Sequence, residues 1–166
     1  MKKNNYQKGI SLLEILVVIA VFSILGILTS RAVLMTIRGT KKSDSLIKVR
    51  GNLDYSMAVI ERQLRNASSV SPCPNTNPLI LDYLDGEGTA TSFSCQNVGT
   101  EGYIASGSAR LTSNEIKVTA CSFTCNQLSP GLPPAISINL VGEDVSSSGI
   151  EGAKVTINSQ ILLRTY

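Results

Sequence analysis

The chain has 166 residues and a formal net charge of +3, and it contains no histidine. Without histidine it can form neither a Ser-His-Asp nor a Cys-His catalytic group, and no histidine-containing zinc site. No segment brings together a nucleophile, a base and an oxyanion donor. We therefore expect a protein that is not an enzyme and that binds no cofactor.

The amino terminus combines a short basic segment with a long apolar one. Three lysines precede Gly9, and the residues from Ile10 to Ser30 are almost entirely apolar. A run of about 20 apolar residues is long enough to cross a bilayer as a helix. It is also longer than the apolar region of a removable secretory signal, which reaches about 15 residues. The sequence therefore predicts a retained membrane-spanning segment at residues 10–30.

One acid, Glu14, interrupts this apolar segment. A carboxylate inside a membrane segment costs a few kcal/mol, and such residues usually mark function. If the chain is cut after Gly9, the new amine of Ile10 would lie about one helical turn from Glu14. Opposite charges attract strongly in a low-dielectric environment, within one chain or between neighbouring copies. The alternative is an isolated acid at the headgroup level of an uncut anchor.

Residues 8–14, which read KGISLLE, resemble the class III signal of type IV prepilins and type II secretion pseudopilins. The resemblance extends over residues 1–35. It implies that residues 1–9 are a leader, that a prepilin peptidase cleaves after Gly9, that Ile10 becomes N-methylated, and that Glu14 takes part in assembly.

Two positions depart from the family pattern. Ile10 stands where Phe is commoner, and Arg31 stands where major pilins often have Pro. The second departure puts in doubt the local melting of the helix that is linked to that proline. The resemblance also implies a pilin-like α+β fold and, as partners, other pilin or pseudopilin subunits, an assembly platform protein and an assembly ATPase.

Charge is distributed unevenly along the chain. Loss of residues 1–9 would leave twelve basic and twelve acidic residues. Residues 31–65 hold eight Lys and Arg against three acids, whereas residues 66–166 hold four against eight. A basic segment beside a membrane span suits anionic lipid headgroups. Nucleic acid is a weaker candidate partner, because the single aromatic residue in the basic segment, Tyr55, offers little base stacking.

A helical pattern continues past the apolar segment, over residues 31–67. Six apolar residues recur at spacings of three or four, as on one face of an amphipathic helix. They are Leu46, Val49, Leu53, Met57, Ile60 and Leu64. We expect one helix from Ile10 to about Ala67, with this stripe packed in the core.

From residue 72 to residue 166 the pattern is that of a β domain. The segments Leu79–Leu84 and Thr89–Cys95 flank residues 85–88, which read DGEG, and predict a hairpin. Alternating apolar residues predict further strands at Ile116–Ala120, at Ile136–Leu140 and from Val155 toward Leu163. We expect an antiparallel sheet that covers the helical stripe, and hence an α+β fold.

The four cysteines, Cys73, Cys95, Cys121 and Cys125, all follow residue 70 and predict disulfides in an oxidising exterior. One C-x3-C pair is too few for a four-cysteine zinc site. If the strand from Ile116 runs straight on, Cys121 and Cys125 lie about 13 Å apart, beyond the ~7 Å limit of a bridge. They would then bond to Cys73 and Cys95. If a turn ends that strand, Cys73–Cys95 and Cys121–Cys125 become available; we favour the first arrangement.

Three acids near the predicted hairpin, Asp82, Asp85 and Glu87, could together hold a surface calcium ion. They do not follow the EF-hand pattern, and the simpler interpretation is that they are solvated acids of a turn. We predict no other metal site.

The resemblance implies a structural subunit of a type IV pilus or of a type II secretion or competence pseudopilus. Length and the divergent β domain favour a minor subunit. Before assembly it would span the inner membrane once with its carboxy-terminal domain outside, and afterwards it would belong to a cell-surface or periplasmic filament. The alternative is an uncleaved, singly anchored extracellular binding domain.

Overall fold

The computed structural model describes residues 11–75, 77–127, 129, 132–146 and 152–163. These residues form two compact units, divided between Thr40 and Lys41. Within the described ranges the secondary structure consists of one helix and eight strands. They are α1 (Leu12–Arg65), β1 (Ser69–Val70), β2 (Ile80–Leu84), β3 (Ala90–Gln96), β4 (Tyr103–Ser106), β5 (Ala109–Arg110), β6 (Ile116–Asn126), β7 (Ala135–Asp144) and β8 (Lys154–Leu162).

The described strands form two antiparallel sheets. The first has the order β1-β2-β3-β4-β5 and the second the order β6-β7-β8. The expected α+β class, with a long apolar helix and antiparallel strands, is confirmed. The sequence indicated one sheet, and the structure divides the strands between two. The reason is that β6 meets the first sheet through isolated hydrogen bonds rather than through a continuous ladder of pairs.

The predicted hairpin is present as β2 and β3, which pair from Ile80↔Ser94 to Leu84↔Ala90. Its turn is closed by the backbone of Asp85, whose N–H donates to the carbonyl of Thr89 at 3.0 Å. Gly88 in this turn has a φ of 83°, a conformation that glycine adopts without steric cost. The local sequence therefore accounts for this hairpin.

Three short strands were not predicted. β1 lies at residues 69–70, ahead of residue 72 where we expected the β domain to begin, and it pairs with the end of β2. β4 and β5 form a small hairpin around Gly107, which has a φ of 56°. Segments of two to four residues are too short to show a periodic pattern, so their strands form through pairing with neighbours.

The carboxy-terminal half of α1 supplies the helical side of the core. Its buried residues are Ser45, Val49, Leu53, Ser56, Met57, Ile60 and Leu64. Leu53 packs on Gly142 of β7, where an added Cβ would lie 3.3 Å from the methyl carbons of Leu53. The prediction for Leu46 was wrong, because this side chain is 39% exposed. The neighbouring Ser45 faces the core instead, and successive helical residues point about 100° apart.

β6 makes backbone hydrogen bonds to the segment just before β4, at Gly102. The N–H of Val118 in β6 donates to the carbonyl of Gly102 at 2.7 Å, and the N–H of Gly99 donates to the carbonyl of Val118 at 3.0 Å. A Cβ on residue 102 would lie 2.1 Å from the oxygen of Val118. Only glycine permits this contact between the sheets.

Candidate functional site: the amino-terminal segment of α1 and the groups that support the β domain

The first turn of α1 carries the acid that the sequence singled out. The carbonyl of Ser11 accepts hydrogen bonds from the N–H groups of Glu14 at 3.0 Å and Ile15 at 3.3 Å, and so begins the helix. Glu14 is exposed, and a carboxylate in the first turn interacts favourably with the helix dipole. Gly9 and Ile10, the predicted cleavage and methylation positions, lie outside the described residues.

The surface of α1 up to Thr40 is uncovered, and it is mostly apolar, with Glu14, Arg31 and Arg38 as its charged residues. Leu12, Phe22 and Met35 are 80%, 73% and 75% exposed. Its most apolar 18-residue window has a mean hydropathy of 2.7 and no buried residue. Within the described part of the chain, this is the one helix that length and composition allow to cross a membrane. Large exposed apolar surfaces mark contacts with lipid or with other proteins.

The hydroxyl groups within this apolar segment are satisfied by the helix itself. Ser23, Thr29 and Ser30 each donate to the carbonyl four residues earlier, at 2.8 to 2.9 Å. These hydroxyls therefore need no water and tolerate an apolar environment. Between Leu12 and Ser30, Glu14 is the one side chain that can carry a charge.

Basic side chains follow the apolar segment directly. Arg31, Arg38, Lys41 and Lys42 are exposed. The described residues supply none of them with an ion-pair partner. Uncompensated basic residues at the end of an apolar span suit anionic lipid headgroups.

The cysteines join the first sheet and its leading segment to β6. Cys73 bonds to Cys125, with 5.3 Å between their Cα atoms, and Cys95 of β3 bonds to Cys121, with 6.3 Å between theirs. This is the arrangement that the sequence analysis favoured. β6 runs on to Asn126 without a turn at residues 122–124, so Cys121 and Cys125 face the same way and bond to different partners.

Asn75 reinforces the same connection, and sequence patterns did not indicate it. Its side-chain Nδ2 donates to the carbonyl of Phe123 at 2.8 Å, and its Oδ1 accepts from the N–H of Cys125 at 3.0 Å. The amide therefore pairs with the backbone of β6 as another strand would. The signal that could have found it is the turn-forming sequence from Asn75 to Pro78, because asparagine often bonds to nearby backbone.

The three acids proposed to bind calcium differ in their exposure and hydrogen bonds. Asp82 lies on β2 and is exposed, and Glu87 is exposed in the hairpin turn. The Oδ1 of Asp85 accepts from the N–H groups of Glu87 at 2.9 Å and Thr89 at 2.8 Å. In the described residues no three His, Cys, Asp or Glu side chains are grouped so that they could hold a metal ion. The observed role of Asp85 is to fold the turn.

A buried carboxylate, Asp144 at the end of β7, was not anticipated. Asp144 is 4% exposed. Its Oδ1 accepts hydrogen bonds from the N–H and the Oγ of Ser146, at 2.9 and 2.7 Å. Burial opposes ionisation, but these bonds, the nearby Ser45 and the charge of Lys48 together lower the pKa of Asp144 below its usual value. The hydroxyl of Ser45, on α1, is buried near this carboxylate.

The exposed apolar segment, its self-satisfied hydroxyls and its one acid indicate a membrane-anchoring amino-terminal helix. Residues 4–30 match the family described as prokaryotic N-terminal methylation motif. The chain therefore carries a type IV prepilin-like signal. Neither a curated protein nor a solved structure gives a significant match to the chain.

Proposed function

We propose that this chain is a structural subunit, and a minor one, of a type IV pilus or of a type II secretion or competence pseudopilus. The observation that carries the proposal is the apolar surface of α1 up to Thr40, which nothing in the described structure covers, together with the matched motif at residues 4–30. The same surface can contact lipid before assembly and like helices afterwards.

Glu14 gives the assembled helices their register. Cleavage after Gly9 creates a positive amine on Ile10, which stays a cation when it carries one methyl group. When the helix enters an apolar bundle, Glu14 of one copy meets the Ile10 amine of a neighbour. Leaving either charge buried without a partner costs about 3–5 kcal/mol, so the correctly placed neighbour is strongly preferred.

The partners follow from these steps. A prepilin peptidase removes residues 1–9, and a platform protein and an ATPase drive the transfer of the helix from membrane to filament. The β domain, with its bonds Cys73–Cys125 and Cys95–Cys121, lies on the oxidising side of the membrane. Because the β domain lies outside, the leader lies in the cytoplasm.

Processing gives the direct test. Intact-mass analysis of the protein from membranes should show loss of residues 1–9 and gain of one methyl group. Gly9→Val should block this cleavage and keep the chain out of filaments, because the amine of Ile10 is never freed. Gly51→Val is the matched control, since Gly51 lies on the same helix beyond Thr40 and a side chain there meets nothing within 4 Å in the chain. A wild-type protein that retains Met1 would instead support an uncleaved, anchored binding domain.

A further inference from the structure

An open groove of about 720 Å³ lies where the end of α1 meets the β2–β3 hairpin. This volume is within the range of small-molecule sites, about 300–1,000 Å³. Its principal polar lining residues are Arg62, Gln63, Asn66, Asp85, Thr91 and Ser106. All of them belong to the unit that begins at Lys41, and none takes part in the proposed pairing of amino-terminal helices.

The floor of the groove fixes the orientation of Gln63. Its Oε1 accepts two hydrogen bonds, from the hydroxyl of Tyr83 at 2.6 Å and from the Oγ of Ser106 at 3.3 Å. Tyr83 is held by burial and by stacking of its ring on Phe93, with 5.1 Å between centroids. The Nε2 of Gln63 has no hydrogen-bond partner among the described residues, so a placed donor is available to a ligand.

The rest of the lining supplies both donors and acceptors. Arg62 forms no ion pair with any described residue, and the side-chain amide of Asn66 is likewise unbonded within the described ranges. Asp85 uses Oδ1 for the turn, so its Oδ2 accepts no bond from the described chain. A ligand here must therefore donate and accept hydrogen bonds at several points.

Charge narrows the class of ligand. One arginine and one aspartate among these residues leave the lining with no net charge, and the carboxylate of Asp85 disfavours phosphate or another strong anion. About half of the lining is polar, and an apolar ligand would take water from these polar groups without replacing their bonds. Sugar hydroxyls both donate and accept, and a neutral sugar brings no charge.

We propose that this groove binds a neutral saccharide of one or two rings, with Gln63, Arg62, Asn66 and Asp85 bonding to its hydroxyl groups. The proposal goes beyond a role in a filament, because it adds a ligand site to the β domain. It does not depend on cleavage or assembly, so its failure would leave the filament proposal untouched.

The test uses the full chain in phosphocholine-detergent micelles, since a maltoside detergent would itself present a sugar. Saturation-transfer NMR is recorded with glucose, galactose, N-acetylglucosamine and lactose at about 10 mM, which detects millimolar Kd values. At least one of these sugars should receive saturation from the protein. Gln63→Leu should weaken its binding about tenfold, as expected for the loss of one hydrogen bond.

Two further variants keep the result interpretable. Arg62→Ala removes an exposed side chain with no hydrogen bond or ion pair to the described residues, so the fold should survive and binding should fall about fivefold. Gln160→Leu, on the exposed face of β8, is the matched control and should bind as the wild type does. Absence of saturation transfer to every sugar overturns the proposal, and so does unchanged binding by Arg62→Ala.

Discussion

Glu14 is an exposed carboxylate in the first turn of a helix whose next sixteen residues cannot carry a charge. In isolation this position costs little, because the dipole of α1 favours an acid there. Its cost arises when the helix is surrounded by apolar groups, and then a partner is required. The cost of this residue therefore depends on what surrounds the helix.

We predict that Glu14→Ala lowers incorporation into filaments by about two orders of magnitude, since a buried amine left without its partner costs about 3–5 kcal/mol. The measurement is the amount of this subunit in filaments sheared from cells, relative to the amount in membranes. Glu87→Ala, which removes an exposed acid of the hairpin turn, should assemble normally. Equal assembly of Glu14→Ala and wild type would contradict the role of Glu14.

Asp144, at the end of β7, is buried, and bonds from Ser146 contribute most to lowering its pKa, with smaller contributions from Ser45 and Lys48 of α1. Because its pKa is lowered in the folded state, ionised Asp144 stabilises the fold at pH values above about 4, the value of an unfolded aspartate. As the pH falls through the lowered folded-state pKa, this stabilisation is lost. Replacing this carboxylate with a neutral amide should therefore lower the free energy of unfolding at neutral pH and have little effect on it in acid.

We predict that Asp144→Asn reduces the free energy of unfolding at pH 7, and that the difference from wild type shrinks as the pH falls below about 4. Urea unfolding of the full chain in detergent, followed by near-UV circular dichroism, measures both. A destabilisation of the same size at pH 7 and pH 3 would show that Asn acts through packing and not through lost charge.

At the scale of elements, α1 contacts both sheets through residues about three turns apart. Leu53 packs on Gly142 of the second sheet, whereas Gln63 bonds to Tyr83 and Ser106 of the first. The helix is thus a common support for two sheets whose described residues pair with each other at isolated points. Its packing face should carry much of the stability of the unit that begins at Lys41.

We predict that Leu53→Ala, which empties a fully buried position, costs about 2–5 kcal/mol of unfolding free energy. Leu46→Ala is the matched control: it makes the same chemical change on the same helix at a side chain that is 39% exposed, and it should cost less than about 1 kcal/mol. Urea titration of both variants provides the comparison. Equal losses would mean that Leu46, and not Ser45, faces the core in solution.

At the scale of the whole molecule, the two units keep their apolar side chains in different places. The described residues up to Thr40 expose theirs, whereas those from Lys41 enclose a core of their own. The second unit therefore keeps a buried core without a partner. The first remains dependent on lipid or on neighbouring chains.

Two disulfides hold the second unit together across its sheets, so we predict a large effect of removing them. The separations of 52 and 26 residues correspond to about 4 and 3.5 kcal/mol in the chain-entropy estimate. The variant with Cys73→Ser and Cys125→Ser should therefore lose more stability than that with Cys95→Ser and Cys121→Ser. The reverse order in urea titrations would show that packing at β3 outweighs loop length.

The sequence alone predicted the apolar segment, the prepilin-like signal within residues 1–35, the continuation of the helix and the β2–β3 hairpin. Each depends on residues that are neighbours along the chain, so periodicity, composition and turn chemistry contain the information. The sequence also narrowed the cysteine pairing, because strand geometry separates Cys121 from Cys125.

The tertiary structure alone decided the division into two sheets, the burial of Ser45, the pairing of Asn75 with β6, and the groove beside Gln63. Each depends on groups that are far apart in sequence; Asn75 and Cys125, for example, are 50 residues apart. Local patterns cannot report such contacts, because they form only when separate elements pack and the entropy of closing the intervening chain is overcome.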